Sequence, residues 1–316
     1  MKHVQLITLL LAAALTACSS DDGTETPPAS HLMTVEVSEK PFIDSETGSR
    51  ISLSPLRKAA ATTTSTLDNF SMNYMDSYKY DFTKANGKWG PTTYSWPNVN
   101  DDTPIDFYAY TGNIGYLTEQ DKWIFHYESA NPYISFSVDE NASTQHDLLV
   151  AHKQTSFKVS NGKVSLEFDH ACAAVQFYIG QSNALSQKGL VYSSIALSGV
   201  YDTGEYHYNV NETPEWKELS GNATYTLESS SNILIPITPT TNEGADKLSC
   251  DHLFMIPQNH SNAKIIIKFS RPNSTDTETA EISLGDINWQ AGYEYTVKVR
   301  LGTTYFEKPQ EPETES

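Results

Sequence analysis

Hydrophobic residues along this chain recur at a spacing of two far more often than at the spacing of a helix. Val35 and Val37 alternate with Glu36 and Ser38, which predicts a half-buried strand. Val164, Leu166 and Phe168 alternate with Ser165, Glu167 and Asp169, and then the phase slips: Ala171, Ala173, Val175, Phe177 and Ile179 carry the apolar positions on the opposite parity. A slip of one residue turns every later side chain to the other face, so a β-bulge or a change of sheet is expected near His170. The longest alternation closes the chain, with Tyr293, Tyr295, Val297, Val299 and Leu301 set against Glu294, Thr296, Lys298 and Arg300. Shorter strand-like runs are Trp123 to Tyr127, Tyr133 to Val138, Asp147 to Ala151, Ile195 to Leu197, Ile233 to Ile237, Leu253 to Ile256, Ile265 to Phe269 and Ile282 to Leu284. Asn86-Gly87, between Tyr78–Phe82 and Trp89, predicts a hairpin with a type I′ turn. Ala59 to Thr66 offers no core-sized side chain and reads as a connection. No long run has a helical period, and the strands divide near residue 155, so the expectation is two antiparallel β-sandwiches in series.

Composition sharpens this picture. The 316 residues suit a targeting segment plus two domains of roughly 100–200 residues each. With 38% hydrophobic, 11% aromatic and 19% charged residues, the chain can bury a large core. Its 39 acidic against 21 basic residues give a net charge of −18, which repels phosphate backbones and argues against a nucleic-acid partner. Lys2 and His3 precede an apolar run from Val4 to Leu15 that is too short to span a bilayer, and small residues follow it, the pattern of a removed export signal over residues 1–17. Leu15-Thr16-Ala17-Cys18 resembles a bacterial lipoprotein signal, which implies that Cys18 becomes the first residue and carries the acyl chains, palmitate among them. An ordinary signal peptide with a chance cysteine is the alternative. Ser19-Ser20-Asp21-Asp22 resembles the acidic tetrapeptides that send lipoproteins to the outer surface of Bacteroidota-type bacteria. Residues 18–30, rich in Thr, Pro, Ser and Glu, read as a flexible tether between lipid and protein.

A search for catalytic or metal chemistry singles out few residues. His146 and His152 lie six apart, on one face if the stretch is a strand, and are the nearest thing to a zinc pair, but no His-Glu-x-x-His occurs and no metal is expected. His170 beside Cys172 can be read as a base and a thiol nucleophile or as a buried packing histidine, and the phase slip favours the latter. Asn98 to Asp102 and Asn273 to Glu278 are acidic loops that lack the spacing of a calcium loop. Cys172 and Cys250 either pair in an oxidising compartment or stay as buried thiols, and burial is the preferred reading. Trp89, Trp96 and Tyr108 form either a sugar-stacking platform or core. Neither a cofactor fingerprint nor a nucleophile elbow occurs, so the chain is read as no enzyme.

Three stretches carry a whole-chain resemblance: Asp147-Leu148-Leu149-Val150-Ala151, Val164 to Ala171, and Trp289-Gln290-Ala291-Gly292-Tyr293-Glu294-Tyr295. With the lipoprotein signal and the Arg- and Thr-rich region before Phe70, they make the chain resemble the fimbrillin family, the subunits of protease-assembled pili of Bacteroidota-type bacteria. The resemblance implies two tandem transthyretin-like antiparallel β-sandwich domains, over residues 31–155 and 156–305, with an acidic tail over 306–316. It also implies export to the outer membrane through a lipid anchor, a trypsin-like processing protease, and strand exchange with other fimbrial subunits after the first strand is removed. Arg50 and Arg57 are the candidate cleavage sites, since either separates the strand at Thr34–Val37 from the rest. Tyr293, Tyr295, Val297, Val299 and Leu301 are the candidate donor or closing strand. A cell-surface glycan-binding lipoprotein is the alternative function.

Overall fold

The computed structural model describes residues 31–47, 50–51, 67, 69–75, 78–96, 102–111, 123–127, 131–182, 189–209, 212–235, 237–238, 246–247, 252–271 and 274–301. The export signal, the tether, Cys18, Arg57, the Ala59–Thr66 run, Cys250 and residues 302–316 lie outside the described residues.

The described chain is almost entirely strand. The first half supplies Thr34–Glu39 (β1), Phe42–Asp44 (β2), Arg50–Ile51 (β3), Asn69–Met75 (β4), Tyr78–Ala85 (β5), Lys88–Gly90 (β6), Ile105–Tyr110 (β7), Trp123–His126 (β8), Tyr133–Ser137 (β9) and Leu149–Thr155 (β10). Besides a 3-10 turn at Ala142–Thr144, one α-helical turn, Phe157–Ser160 (α1), is capped by Ser156, whose side chain accepts from the Val159 N–H, and it ends at Asn161 in the left-handed region. Then follow Lys163–His170 (β11), Ala173–Ser182 (β12), Val191–Val200 (β13), Thr203–His207 (β14), Glu215–Ser220 (β15) and Ala223–Leu234 (β16). The chain ends through Ile237–Thr238 (β17), Asp246–Lys247 (β18), Leu253–Met255 (β19), Asn259–His260 (β20), Lys264–Ser270 (β21), Thr277–Ser283 (β22), Ile287–Asn288 (β23) and Tyr293–Leu301 (β24). The β5–β6 hairpin turns at Asn86 and Gly87 with φ of 53° and 74°, the positive values that a type I′ turn needs.

Two buried cores organise these strands. The first lies under one sheet of order β1-β11-β10-β7-β4-β5-β6. Its inward residues include Phe70, Phe82, Phe107, Val164, Leu166 and Phe168, with Phe70 and Phe82 stacked at 4.9 Å. The sheet curls until its ends meet: the Met33 N–H donates to the Tyr94 carbonyl (2.8 Å) and the Trp96 N–H to the His31 carbonyl (3.0 Å). The second core is lined by Val175, Phe177, Ile179, Val297 and Val299 from the sheet β17-β12-β24-β2-β3, and by Ile195, Leu197, Ile265 and Ile267 from the sheet β16-β13-β21-β22. A third sheet, β15-β14-β9-β8, extends this core over Tyr108 and Tyr110 on the reverse face of β7. There the Tyr208 hydroxyl donates to the Ala109 carbonyl at 2.9 Å.

Of the two readings of the phase slip at His170, the change of sheet is the one observed, since β11 sends Val164, Leu166 and Phe168 into the first core and Ala171 onward enters the second. Strand pairing crosses residue 155: β10 and β11 are neighbours in one sheet, and β9 pairs with β14. The expectation of purely antiparallel pairing is corrected, because β1–β11, β2–β24 and β12–β24 run parallel. Parallel neighbours require long excursions of chain between them, and a period-two pattern contains no information on that choice.

Candidate functional site

The segment from His31 to Ile51 touches both cores, and it does so by alternation. Val35 and Val37 pack against the first core while Thr34, Glu36 and Ser38 face outward along β11. Backbone and charge hold it there: the Thr34 N–H donates to the Gly162 carbonyl (3.0 Å), the Lys40 N–H to the Phe168 carbonyl (2.9 Å), and Lys163 meets Glu36 at 2.7 Å. Lys40 Nζ lies 2.7 Å from Asp169 and 3.5 Å from Glu167. Asp169 raises the affinity of the ammonium for its proton, through a hydrogen bond above all.

Beyond Pro41 the chain crosses to the other sheet. The Ile43 N–H donates to the Gly292 carbonyl at 2.8 Å and the Ser45 N–H to the Glu294 carbonyl at 3.0 Å, placing β2 parallel to β24. The strand stops because the Asp44 carboxylate accepts from the Glu46 and Thr47 N–H groups at 2.7 and 3.1 Å, an Asx turn. Arg50 and Ile51 then return as the edge strand β3, so the candidate cleavage site Arg50 sits on the two-residue outer rung of this sheet.

Phe42 is the plug of this seam. It is 2% exposed, stacks on the His170 ring at 3.7 Å and lies 6.3 Å from Phe254. His170 Nδ1 hydrogen-bonds with Asp147 Oδ2, and Nε2 lies 3.7 Å from Glu39 Oε1. Burial is the largest influence on the imidazole and favours its neutral form, but the Asp147 charge and hydrogen bond, with Glu39 behind them, outweigh it and raise its pKa. Cys172, two residues further along the chain, is a fully buried free thiol whose pKa burial pushes well up, with Asp147 adding to the rise. It is held as a protonated, inert packing group and not as a nucleophile. A second buried pair, His252 with Glu294, lies on the β24 side. His252 Nδ1 and Ser45 Oγ are buried without a hydrogen-bond partner, each a local cost of about 1–3 kcal/mol.

Other residues singled out by sequence are dispersed. β24 is the central strand of its sheet, between β12 and β2, with Tyr295, Val297, Val299 and Leu301 buried and Tyr293 half-buried. Tyr293–Leu301 therefore closes the second core of its own chain. His152 hydrogen-bonds with Asp106 at 2.8 Å and stacks on Tyr108 at 5.0 Å, while His146 is exposed before β10, so the two do not converge. Among the described residues no group of three or more His, Cys, Asp or Glu is placed to hold a metal. Trp96 and Tyr108 are core, and Trp89 is half-buried under Lys84 (5.7 Å), so no sugar platform is formed by the three. Sequence reasoning missed β2, Glu39, Asp147 and the His252–Glu294 pair. Pro41 followed by Phe42-Ile43 was the available signal for β2.

A family model described as fimbrillin-like matches residues 44–315. Among solved structures, a fimbrial protein from Bacteroides vulgatus is similar over 87% of this chain and 96% of its own, at 17% identity and a TM-score of 0.54. A candidate cell adhesion protein from Bacteroides ovatus aligns over 85% of this chain and 92% of its own, at 12% identity and a TM-score of 0.47. At such identities the first likeness concerns the fold alone. No curated protein matches the chain.

Proposed function

The chain belongs to the fimbrillin-like family, and from that premise we propose that it is a non-enzymatic structural and adhesive subunit of cell-surface fimbriae. In this reading residues 1–17 are removed on export, Cys18 carries the lipid that anchors the protein in the outer membrane, and residues 18–30 form the tether. The two cores are those of the two transthyretin-like sandwiches, and residues 306–316 are an acidic tail. A trypsin-like protease cuts after Arg50 or Arg57, the segment before the cut departs, and a strand from another subunit takes its place.

The observation that carries this reading is the double seat of residues 31–51. One short segment supplies both the edge strand that closes the first sheet and the strand that covers β24 in the second. Its departure leaves backbone N–H and C=O groups of β11 and β24 unpaired, which is the template that strand addition requires. The orphaned Ser45 Oγ, which belongs to the segment, gains water at the same moment, which favours release. Since β24 closes its own core, residues 302–316 are the portion of the C-terminus that remains to act as donor.

The test is to cut the folded protein with trypsin, identify the new N-terminus by mass spectrometry, and follow association by size-exclusion chromatography with light scattering. A cut at Arg50 or Arg57, followed by oligomers that form only from cut protein and weaken when residues 302–316 are deleted, is the expected result. Degradation past Phe70, or a cut subunit that stays monomeric at high concentration, would refute the assembly reading.

A further inference from the structure

Contacts other than the ladders also hold the N-terminal segment, and three of its residues, Glu39, Lys40 and Phe42, meet one titratable ring. His170 is the last residue of β11, at the point where the chain leaves the first sheet for the second. Several elements pack around the ring. From the loop before β10 comes Asp147, bonded to Nδ1; from β1 comes Glu39, 3.7 Å from Nε2. From the linker between β1 and β2 comes the Lys40 backbone, and from β2 comes the face of Phe42 at 3.7 Å. On its own strand Asp169 is engaged by Lys40 at 2.7 Å, and beyond it lies the protonated Cys172 thiol. Asp147 and Cys172 belong to the body of the protein, whereas Glu39, Lys40 and Phe42 belong to the segment.

We propose that His170 is a proton-controlled latch that holds residues 34–44 on the body of the subunit, so that β1 and β2 undock more readily as pH rises. A charged imidazolium bridges the body's Asp147 to the segment's Glu39 and presents a cationic face to the Phe42 ring. Losing the proton removes the attraction to Glu39 and leaves that carboxylate beside Asp147 with no charge between them. The segment acts on the ring in two opposed ways: Phe42 helps to bury it, which favours the neutral form, whereas Glu39 and the Lys40 backbone favour the charged form. The latch requires the polar contacts to prevail. The stabilisation they supply is therefore complete below the ordinary histidine range and is lost as pH climbs through the raised value. This inference deepens the assembly reading, because it says when the segment that must leave is held and when it is loose.

Hydrogen–deuterium exchange of the uncut full chain, kept in detergent and corrected for the intrinsic pH dependence of exchange, reads the latch directly. Between about pH 6 and pH 8.5, protection of residues 34–44 relative to residues 191–200 in β13 should fall about tenfold for each unit by which docking raises the histidine pKa. His170→Gln should flatten this slope at a uniformly low protection. Glu39→Gln, which alters only a partly exposed side chain of the segment, should flatten it without disturbing the body. Protection that does not change with pH, or a slope unchanged in Glu39→Gln, overturns the latch. Nothing is cut in this experiment, so its failure leaves assembly by proteolysis standing, and a failure to assemble after cutting leaves the latch standing.

Discussion

Replacing Phe42 by Ala separates two views of the N-terminal segment, as an integral element of the fold or as a removable cover. The side chain is buried to 2% exposure between His170 and Phe254, an environment in which Phe→Ala costs about 3–5 kcal/mol. If the segment unfolds only with the whole protein, that loss appears in global stability. If it undocks alone, the loss falls on the docking equilibrium, and at about 1.4 kcal/mol per decade the undocked population rises on the order of a hundredfold or more. The assay pairs a global denaturant midpoint with the rate of trypsin cleavage after Arg50. Phe168→Ala, at an equally buried site of β11 in the body of the first core, is the control. The expected outcome is that Phe42→Ala accelerates cleavage by about two decades with little change in midpoint, while Phe168→Ala lowers the midpoint. Equal drops in midpoint with no change in cleavage rate would refute the removable-cover argument, and with it the route by which a groove could open.

Several sites allow quicker checks. Cys18→Ala should release the protein from membranes or leave its precursor uncut, and normal membrane attachment in fractionation would contradict lipid anchoring. Gly221 has φ of +94° and an added Cβ would fall 1.5 Å from Asp202 Oδ1, so Gly221→Ala should lower the melting temperature by several degrees through displacement of the β15–β16 turn. In a Cys250→Ser background, Cys172 should react with a thiol reagent only after denaturation, because the group is fully buried and its pKa is raised; rapid labelling of native protein would show that the seam is already open. Tyr192, whose hydroxyl donates to the Leu227 carbonyl at 2.9 Å and whose pKa burial pushes to about 12, should remain un-ionised in an absorbance titration at pH values where exposed tyrosines have lost their protons.

Part of the strand inventory was legible because several strands have one buried face. β1, β9, β11 and β21 show period-two patterns that match their observed burial, and the parity change at His170 marked the passage from one core to the other; β24 departs from its alternation, since Glu294 and Arg300 are buried as well. Asn86-Gly87 announced its turn for the same local reason: only residues that accept positive φ fit there. What escaped was non-local. β2 has three residues, too few for a period, and its position is set by backbone hydrogen bonds to Gly292 and Glu294, far away in sequence. Asp147 and Glu39 looked like two of many carboxylates, since nothing in their own neighbourhoods says that both would face one histidine. Trp96 and Tyr108 were ambiguous because an aromatic residue makes a good core side chain and a good platform alike, and only burial decides between them.

In the assembly proposed above, the placement of β1 and β2 would keep the subunit unassociated before cleavage. A sheet edge with apolar residues beneath it recruits foreign strands, and proteins ordinarily protect edges with charge, prolines or a covering element. Here β1 caps the β11 edge and displays Thr34, Glu36 and Ser38 outward, with Glu36 and Lys40 bound to charged residues of β11 and its end. The same segment then caps β24 with a strand of only three residues. One cover thus protects two edges, and because Pro41 and the Asx turn at Asp44 divide it into short pieces, neither piece forms a long ladder that would resist removal. A longer continuous strand would have guarded one edge better and been harder to withdraw. In the proposed assembly, short parallel strands joined by a buried aromatic plug suit a cover that holds before cleavage and yields after it, and on that proposal Phe42 and His170, more than the ladders themselves, set the timing.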